Sequence, residues 1–328
     1  MLNNSLAATM RAHGREISVA MAILALAVAL AIVAPAYFAT DNLRDLFLAN
    51  LPVLIVALGA SLVMLTGEID ISVGSVFAIC GVTAGLLAKL DLPVAVAALG
   101  ACVVGAALAS INGALVAFAR IPSIVVTLAS MVALRDGLRW TTQGAWVQDL
   151  PAGFQWAGLT QVSFPIFTAG VAVALCVVLS WVMRNVAIGR ALYATGSNRD
   201  AARLAGFDTS RIIFATFAFA GALTGLAATL NAVRFNQIPS NAGIGLEMKV
   251  VAAVVVGGTA ITGGRGTLVG TILGVVLLGA IGPALTFLGV SPQWERAVQG
   301  AIILTAAGID AIRGRVEAYH AAPVRRAA

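Results

Sequence analysis

The chain has few charged residues, since Asp, Glu, Lys and Arg make up only 10% of its 328 residues. Soluble domains carry about a quarter of their residues charged, so a fold in water could not cover its surface with so few. Hydrophobic residues make up 60% of the chain and come in long blocks. Such blocks are typical of membrane-spanning helices. The composition therefore predicts an all-α integral membrane protein.

Groups that carry chemistry are also scarce. The two histidines, His13 and His320, lie near the chain ends, which leaves none in the apolar blocks for a metal site or a general base. The P-loop string G-x-x-x-x-G-K-[ST] does not occur, and the run 263–267 is better interpreted as a flexible turn. The cysteines form no C-x-x-C pair and behave as small buried hydrophobes: Cys80, Cys102 and Cys176. These patterns disfavour an enzyme.

Ten apolar segments approach the roughly 20 residues needed to cross a bilayer. The first has 23 residues, longer than the roughly 7–15 of a secretory signal core, so we expect it to remain as a span. The fifth is interrupted by charges and the eighth is short. The segments are 17–39, 47–66, 71–90, 93–118, 121–140, 162–183, 212–232, 247–261, 267–288 and 296–312.

Ten crossings would place both termini on one side. With the termini in the cytoplasm, thirteen of the 20 Lys and Arg residues lie inside and seven outside, which agrees with the positive-inside rule; eight crossings would also agree. The predicted organisation is a cytoplasmic tail at 1–16, a transmembrane domain at 17–312 and a cytoplasmic tail at 313–328. The longest inner connection is about 184–211.

A short helix is expected within that inner connection. Ser197 or Asn198 can cap its N-terminus, and Asp200 and Arg203 suit the two ends of its dipole. Gly206 supplies a left-handed stop. Two turns are too short to span and are marginal in water, so a partner surface is one interpretation and an ordinary surface helix is the other.

Polar residues within or beside the apolar blocks form a second candidate site. Charges there are costly unless they face protein or water. They could bond a polar solute along a pathway, or they could join helices by hydrogen bonds. The candidates are Asn112, Arg135, Asp136, Asn231, Asn236 and Gln237.

The turn between the second and third segments carries two acids, Glu68 and Asp70, followed by Ser72 as a candidate helix cap. The acids could bind a cation or a proton, or they could be solvated in a tight turn. The same stretch repeats weakly at an offset of 196, since Thr66-Gly67 matches Thr262-Gly263. Internal repeats are common in transporters, but chance also explains so short a match.

Six strings of the sequence carry a family resemblance: 67–75, 112–113, 121–129, 194–206, 254–259 and 263–266. Taken together, they resemble the permease subunits of bacterial ATP-binding-cassette importers for monosaccharides, the ribose, xylose, rhamnose and autoinducer-2 group. The similarity extends from about 47 to 313. Glu68 departs from the pattern, because many relatives carry glycine there.

The resemblance implies a multi-pass protein of the bacterial inner membrane with an ABC importer permease fold. A second permease, identical or a sister chain, would complete the pore, and a periplasmic binding protein would deliver the sugar. ATP and Mg would be bound by a separate cytoplasmic ATPase, with no cofactor on this chain. The coupling helix that docks into that ATPase would contain Asn198, Arg199, Asp200, Arg203, Leu204 and Gly206.

The strings at 135–140, 143–146 and 245–249 are most similar to the rhamnose and autoinducer-2 permeases, and of the two solutes we favour rhamnose on the sequence. The competing interpretation is a secondary transporter or channel acting alone, with a coupling or selectivity group formed by Arg135, Asp136, Glu247 and Lys249.

Overall fold

A computed structural model describes residues 14–291, 293–302, 304, 305 and 308. The described residues form a helical protein in which no strand is found beyond one isolated bridge. The helices are α1 Gly14–Val33, α2 Thr40–Leu65, α3 Val73–Ala88, α4 Val94–Ala117, α5 Ser123–Thr142, α6 Ser163–Asn185, α7 Ala187–Ser197, α8 Arg199–Leu204, α9 Thr209–Ala232, α10 Leu246–Val256 and α11 Leu268–Phe287. Two 3₁₀ turns, Pro35–Phe38 and Gln155–Gly158, and a final helix covering 294–302 complete the described part.

Six of these helices are long and apolar enough to cross a membrane: α1, α2, α4, α6, α9 and α11. Each of the ten predicted segments contains a helix, but ten crossings and cytoplasmic termini remain predictions. The first predicted segment, 17–39, is too long, because its helix ends at Val33 and Pro35 begins a separate 3₁₀ turn. The predicted tails at 1–16 and 313–328, and most of 303–312, lie largely or wholly outside the described residues.

Burial divides the helices into a centre and a periphery. In α2, 72% of the most apolar window is buried, against 11% in α1 and 22% in α4 and α6. Because α1, α4 and α6 expose large apolar side chains such as Met21, Leu99 and Ile166, their outer faces suit lipid. The multi-pass helical architecture places α2 in the core, with α9 and α11 also well buried.

Small residues let α4 and α9 approach closely. A Cβ on Gly221 of α9 would lie 2.2 Å from the carbonyl oxygen of Gly105 on α4, and one on Gly225 would lie 2.3 Å from that of Ala101. The four-residue spacing places both contacts on one face of each helix, the small-xxx-small pattern of membrane helix pairs. Glycine is required at 221 because any side chain would force the backbones apart.

The connections gather at two opposite ends of the bundle. At one end, Gly264 N donates to Leu65 O at 2.9 Å, and Ile69 N donates to Ser123 Oγ at 3.2 Å. At the other, Trp156 N donates to Val233 O at 2.6 Å. The first end collects the connections predicted to be cytoplasmic and the second those predicted to be periplasmic, so we call them the inner and outer ends.

Two non-helical segments interrupt the crossings. Residues 66–72 separate α2 from α3 at the inner end, and 233–245 separate α9 from α10 at the outer end. Gly243 of the second segment packs on Gly74, the second residue of α3, where a Cβ on Gly74 would lie 2.5 Å from Gly243 O. Non-helical backbone within a membrane domain is tolerated only where protein or a cavity surrounds it. Here Gly243 packs against α3, and Ile69 of the first segment is hydrogen-bonded to α5.

Candidate functional site

The helix α8 has the cap and stop that its sequence predicts. Asn198 Oδ1 accepts hydrogen bonds from the backbone N–H groups of Asp200 and Ala201, each at 3.0 Å. Gly206 takes a left-handed φ of 87° just beyond the helix. The helix has six residues, somewhat less than two turns, so its conformation depends on these caps and on its packing.

The surface of α8 is exposed at the inner end. Ala202 faces inward and is buried, whereas Leu204 is 91% exposed. Asp200 and Arg203 flank it, and Arg203 Nε also donates to Thr209 Oγ1 at 3.0 Å. An apolar side chain fully presented among charged ones suits contact with another protein. The structure places the predicted coupling residues on one helix and its ends, while their coupling role stays a prediction.

The helix α7, which leads directly into α8, is packed onto the core. Gly196 fits against the turn below it, since a Cβ there would lie 1.9 Å from Leu65 O and 2.5 Å from Gly264 N. Tyr193 donates its hydroxyl to Gly266 O at 2.8 Å. Burial raises the pKa of Tyr193, which keeps this hydroxyl protonated as the donor, and Arg184 partly opposes the shift. The exposed helix therefore rests on a tightly packed junction.

Glu68 and Asp70 are buried, at 6% and 5% exposed. The interpretation of a turn with solvated acids is therefore wrong: α4, α5 and α8 cover these side chains. Glu68 forms an ion pair with Arg199, the first residue of α8. Asp70 accepts from both the backbone and the hydroxyl of Ser72, at 2.8 and 2.6 Å. Ser72 thus does not cap α3 with its side chain as expected.

A buried polar chain continues from this turn. Asn112 Nδ2 of α4 donates to Ser72 Oγ at 2.9 Å, and Ser130 Oγ of α5 donates to Asn112 Oδ1 at 2.5 Å. Asn112 is 1% exposed. This matches the interhelical interpretation of that residue, because both ends of its amide bond neighbouring elements. The two serine partners were not predicted.

One step further along α5, Arg135 meets α10. Its Nη2 lies 3.9 Å from Glu247 Oε2, and its Nε donates to Ser75 Oγ at 3.3 Å. Both acidic and basic side chains are mostly buried, and their facing atoms Nη2 and Oε2 have no hydrogen-bond partner. Sequence periodicity could not bring Glu247 to this place, because it follows an irregular segment. A second cross-helix pair joins Lys249 Nζ to Glu295 Oε1 at 3.8 Å.

The remaining candidates for a solute path are dispersed. Asp136 is exposed beside Arg139 of the same helix, at 3.9 Å, and Asn236 is exposed on the outer segment. Asn231 and Gln237 line a small cleft with Phe77 of α3. Its volume is about 10 Å³, enough for about one water molecule and too small for a sugar. Among the described residues no group of three metal-ligating side chains occurs.

Comparison with known proteins adds a family. Residues 42–307 match the family described as branched-chain amino acid transport system / permease component. The autoinducer 2 import system permease protein LsrC of Yersinia pseudotuberculosis (strain IP 31758) is 36% identical over 305 residues, which cover 93% of this chain and 86% of the relative. The protein of the same name from Salmonella typhi is 34% identical over 309 residues, covering 93% and 87%.

No solved structure matches the chain. The family match spans well over half of the chain, and the relatives are transport permeases that align over nearly all of it. The resemblance to importer permeases and the multi-pass location in the inner membrane are thereby confirmed. The chain belongs to the family of branched-chain amino acid transport system permease components, and the two relatives above are named as autoinducer 2 import system permeases.

Proposed function

We propose that this chain is the membrane-spanning subunit of an ATP-driven importer and carries a monosaccharide, or the sugar-like autoinducer 2, across the inner membrane. The observation that carries the proposal is α8. It is a capped surface helix with Leu204 exposed, and the helix that leads into it is packed onto the core. A helix so small gains no stability by itself, and its outward face suits a soluble partner.

In this proposal energy enters from that partner. A cytoplasmic ATPase binds ATP and Mg and grips α8, while this chain holds no cofactor and catalyses no reaction. A second permease subunit completes the pore, and a periplasmic binding protein delivers the solute at the outer end. Both termini and the segment of about 184–211 face the cytoplasm. ATP binding moves α8, and the bundle alternates between openings on its two sides.

For the transported solute we favour the autoinducer 2 class, because the relatives at 34–36% identity are named for its import. Rhamnose is the second candidate, on the strings at 135–140 and 245–249 alone. Both are small polyhydroxylated molecules. The test is calorimetric binding of autoinducer 2 and of rhamnose to the importer's periplasmic binding protein, where tight binding of one identifies the cargo.

The docking role is tested by replacing Arg203 and Leu204 with Asp. We expect the protein to remain in the membrane, because both side chains are exposed, while copurification with the ATPase and solute uptake are lost. Arg211→Gln is the control, since Arg211 is 83% exposed on the same end and, within the part of the chain that the structure describes, its ion pair is with Asp208 alone. Normal copurification of the Asp variant would contradict the docking assignment.

The stand-alone transporter is the alternative, and the buried pair of Arg135 and Glu247 is the observation in its favour. Charged side chains within a membrane domain often mark ion or proton pathways. Purified protein in liposomes distinguishes the two functions. Solute accumulation without any ATPase would establish the alternative, whereas strict dependence on ATP and the ATPase would support the importer.

A further inference from the structure

Glu68 links α8 to the interior of the bundle. Its side chain is 7% exposed and forms an ion pair with Arg199, which is 42% exposed. Arg199 is the first residue of α8, where the helix dipole disfavours a cation. The carboxylate of Glu68 offsets that effect and adds the charge that a helix N-terminus prefers. The ion pair with Glu68 therefore compensates the unfavourable position of Arg199 at the N-terminus of α8.

The contact is also costly to break. Separating a buried ion pair leaves an uncompensated charge in a poorly solvated site. When α8 moves, Glu68 therefore follows rather than releasing Arg199. Gly196 of the preceding helix α7 packs closely on Leu65, the last residue of α2, and on Gly264, so the helix that leads into α8 is also held next to segment 66–72.

Ile69, the residue after Glu68, is hydrogen-bonded to α5. Ile69 N donates to Ser123 Oγ at 3.2 Å, and Thr127 Oγ1 donates to Ile69 O at 3.3 Å. Further along, Ser75 Oγ donates to Met131 O at 2.7 Å. Segment 68–75 is therefore bonded to α5 over more than two turns of that helix.

The series of contacts that begins at Glu68 ends at the pair of Arg135 and Glu247. Arg135 belongs to α5 and bonds Ser75, and Glu247 belongs to α10. A displacement of segment 68–75 thus moves both the helix that carries Arg135 and its hydrogen-bond partner. The two atoms that face each other, Arg135 Nη2 and Glu247 Oε2, lack other partners, so a small shift changes their interaction directly.

We propose that Glu68 is a positioning residue that transmits movement of α8, through segment 68–75, to α5 and to the contact between Arg135 and Glu247. The proposal rests on the proposed function, since it assumes that an ATPase moves α8. It goes beyond it by assigning the transmission to one named ion pair and one segment. Glu68 itself contacts neither the ATPase nor the solute.

The experiment uses the complete importer, reconstituted from this chain with the neighbouring ATPase and binding protein. The variants are Glu68→Gln, Arg199→Gln, Arg199→Lys and the double Gln variant, with Arg211→Gln as the control on an exposed pair. Three quantities are measured: copurification of the ATPase, ATP hydrolysis stimulated by the binding protein, and uptake of radiolabelled autoinducer 2 and rhamnose.

Glu68→Gln is expected to keep copurification within twofold of the unmodified protein and to lower uptake at least fivefold. Arg199→Gln should lower uptake to the same extent, and uptake by the double variant should be no worse than that of either single one, because all three remove the same interaction. Arg199→Lys keeps the charge and should recover at least half of the uptake. Arg211→Gln should transport normally.

Normal uptake by Glu68→Gln would overturn the proposal, and so would equal losses of uptake and copurification, which would place Glu68 in docking. Multiplying effects in the double variant would also overturn it. If Glu68→Gln fails to reach the membrane, Arg199→Gln decides, because its side chain is partly exposed. Failure of the proposed function looks different: the unmodified protein would then accumulate solute in liposomes without the ATPase and would not copurify with it.

Discussion

The close packing of α4 on α9 predicts a large effect from a single methyl group. In Gly221→Ala, the new Cβ would lie 2.2 Å from Gly105 O and 2.5 Å from the Ala109 Cβ, whereas ordinary contact begins near 3.4 Å. The backbones must therefore separate by about 1 Å, which forfeits roughly a quarter to a half of the dispersion energy at each affected contact. Overpacking of this kind costs about 1–3 kcal/mol.

The matched control is Gly170→Ala in α6. Gly170 has nothing within 4 Å of the added Cβ, so the same methyl group meets open space. Removing a glycine from a helix interior is favourable by about 0.5–1 kcal/mol. The two variants carry identical atoms and should shift stability in opposite directions.

The assay is the apparent melting temperature of purified protein in detergent, followed by size-exclusion chromatography after heating. Gly221→Ala should melt several degrees below the unmodified protein, and Gly170→Ala at or above it. Equal melting temperatures for the two variants would refute the interpretation of Gly221 as a close-approach residue.

Two further predictions concern the buried pair and the helix cap. Glu247→Gln should destabilise the protein by about 3 kcal/mol, since it leaves Arg135 without its counter-charge; the double variant with Arg135→Gln should melt higher than Glu247→Gln alone, and a lower value would argue against pairing. Asn198→Ala should weaken α8 by about 1 kcal/mol through loss of its cap, whereas Asn198→Asp should not. Hydrogen exchange of residues 199–205 measures this, and equal exchange in both variants would speak against the cap.

Much of the fold followed from hydrophobic blocks. The residues at the ends of the inner helix were also informative, since the Asn198 side chain caps α8 and Gly206, which has no Cβ, takes the left-handed conformation just beyond it. The sequence was less reliable where tertiary contacts decide. Ser72 looked like a cap, but its hydroxyl bonds Asp70, which no longer faces water once α4 and α5 close over it.

The sequence identified charged residues of the candidate site but not which of them form pairs. The group of four charges proposed for a stand-alone transporter included both Arg135 and Glu247, which the structure brings together. Asp136 and Lys249 of that group lie beside other partners, Arg139 and Glu295, and the irregular course of 233–245 has no periodicity from which this division could be predicted. Glu68 looked like an isolated departure from the related permeases. Its partner lies 131 positions away, and a pairing at that separation cannot be found from local pattern.

The non-helical course of 238–243 limits how far α10 can travel. Two backbone hydrogen bonds of 2.9 Å join Ile238 to Val147. The Ile238 side chain packs beside Gly81 and Gly85 of α3, and Gly243 packs beside Gly74 of the same helix. The midpoint between Gly81 and Gly85 lies about 13 Å along α3 from Gly74, at 1.5 Å per residue. Five residues reach at most about 17 Å when fully extended. Within this segment Ala242 N donates to Pro239 O at 3.2 Å, so it is folded as a turn and lengthens toward that limit only when the turn opens. A movement of α10 toward the inner end by more than about 4 Å therefore has to break the bridge between Ile238 and Val147 as well.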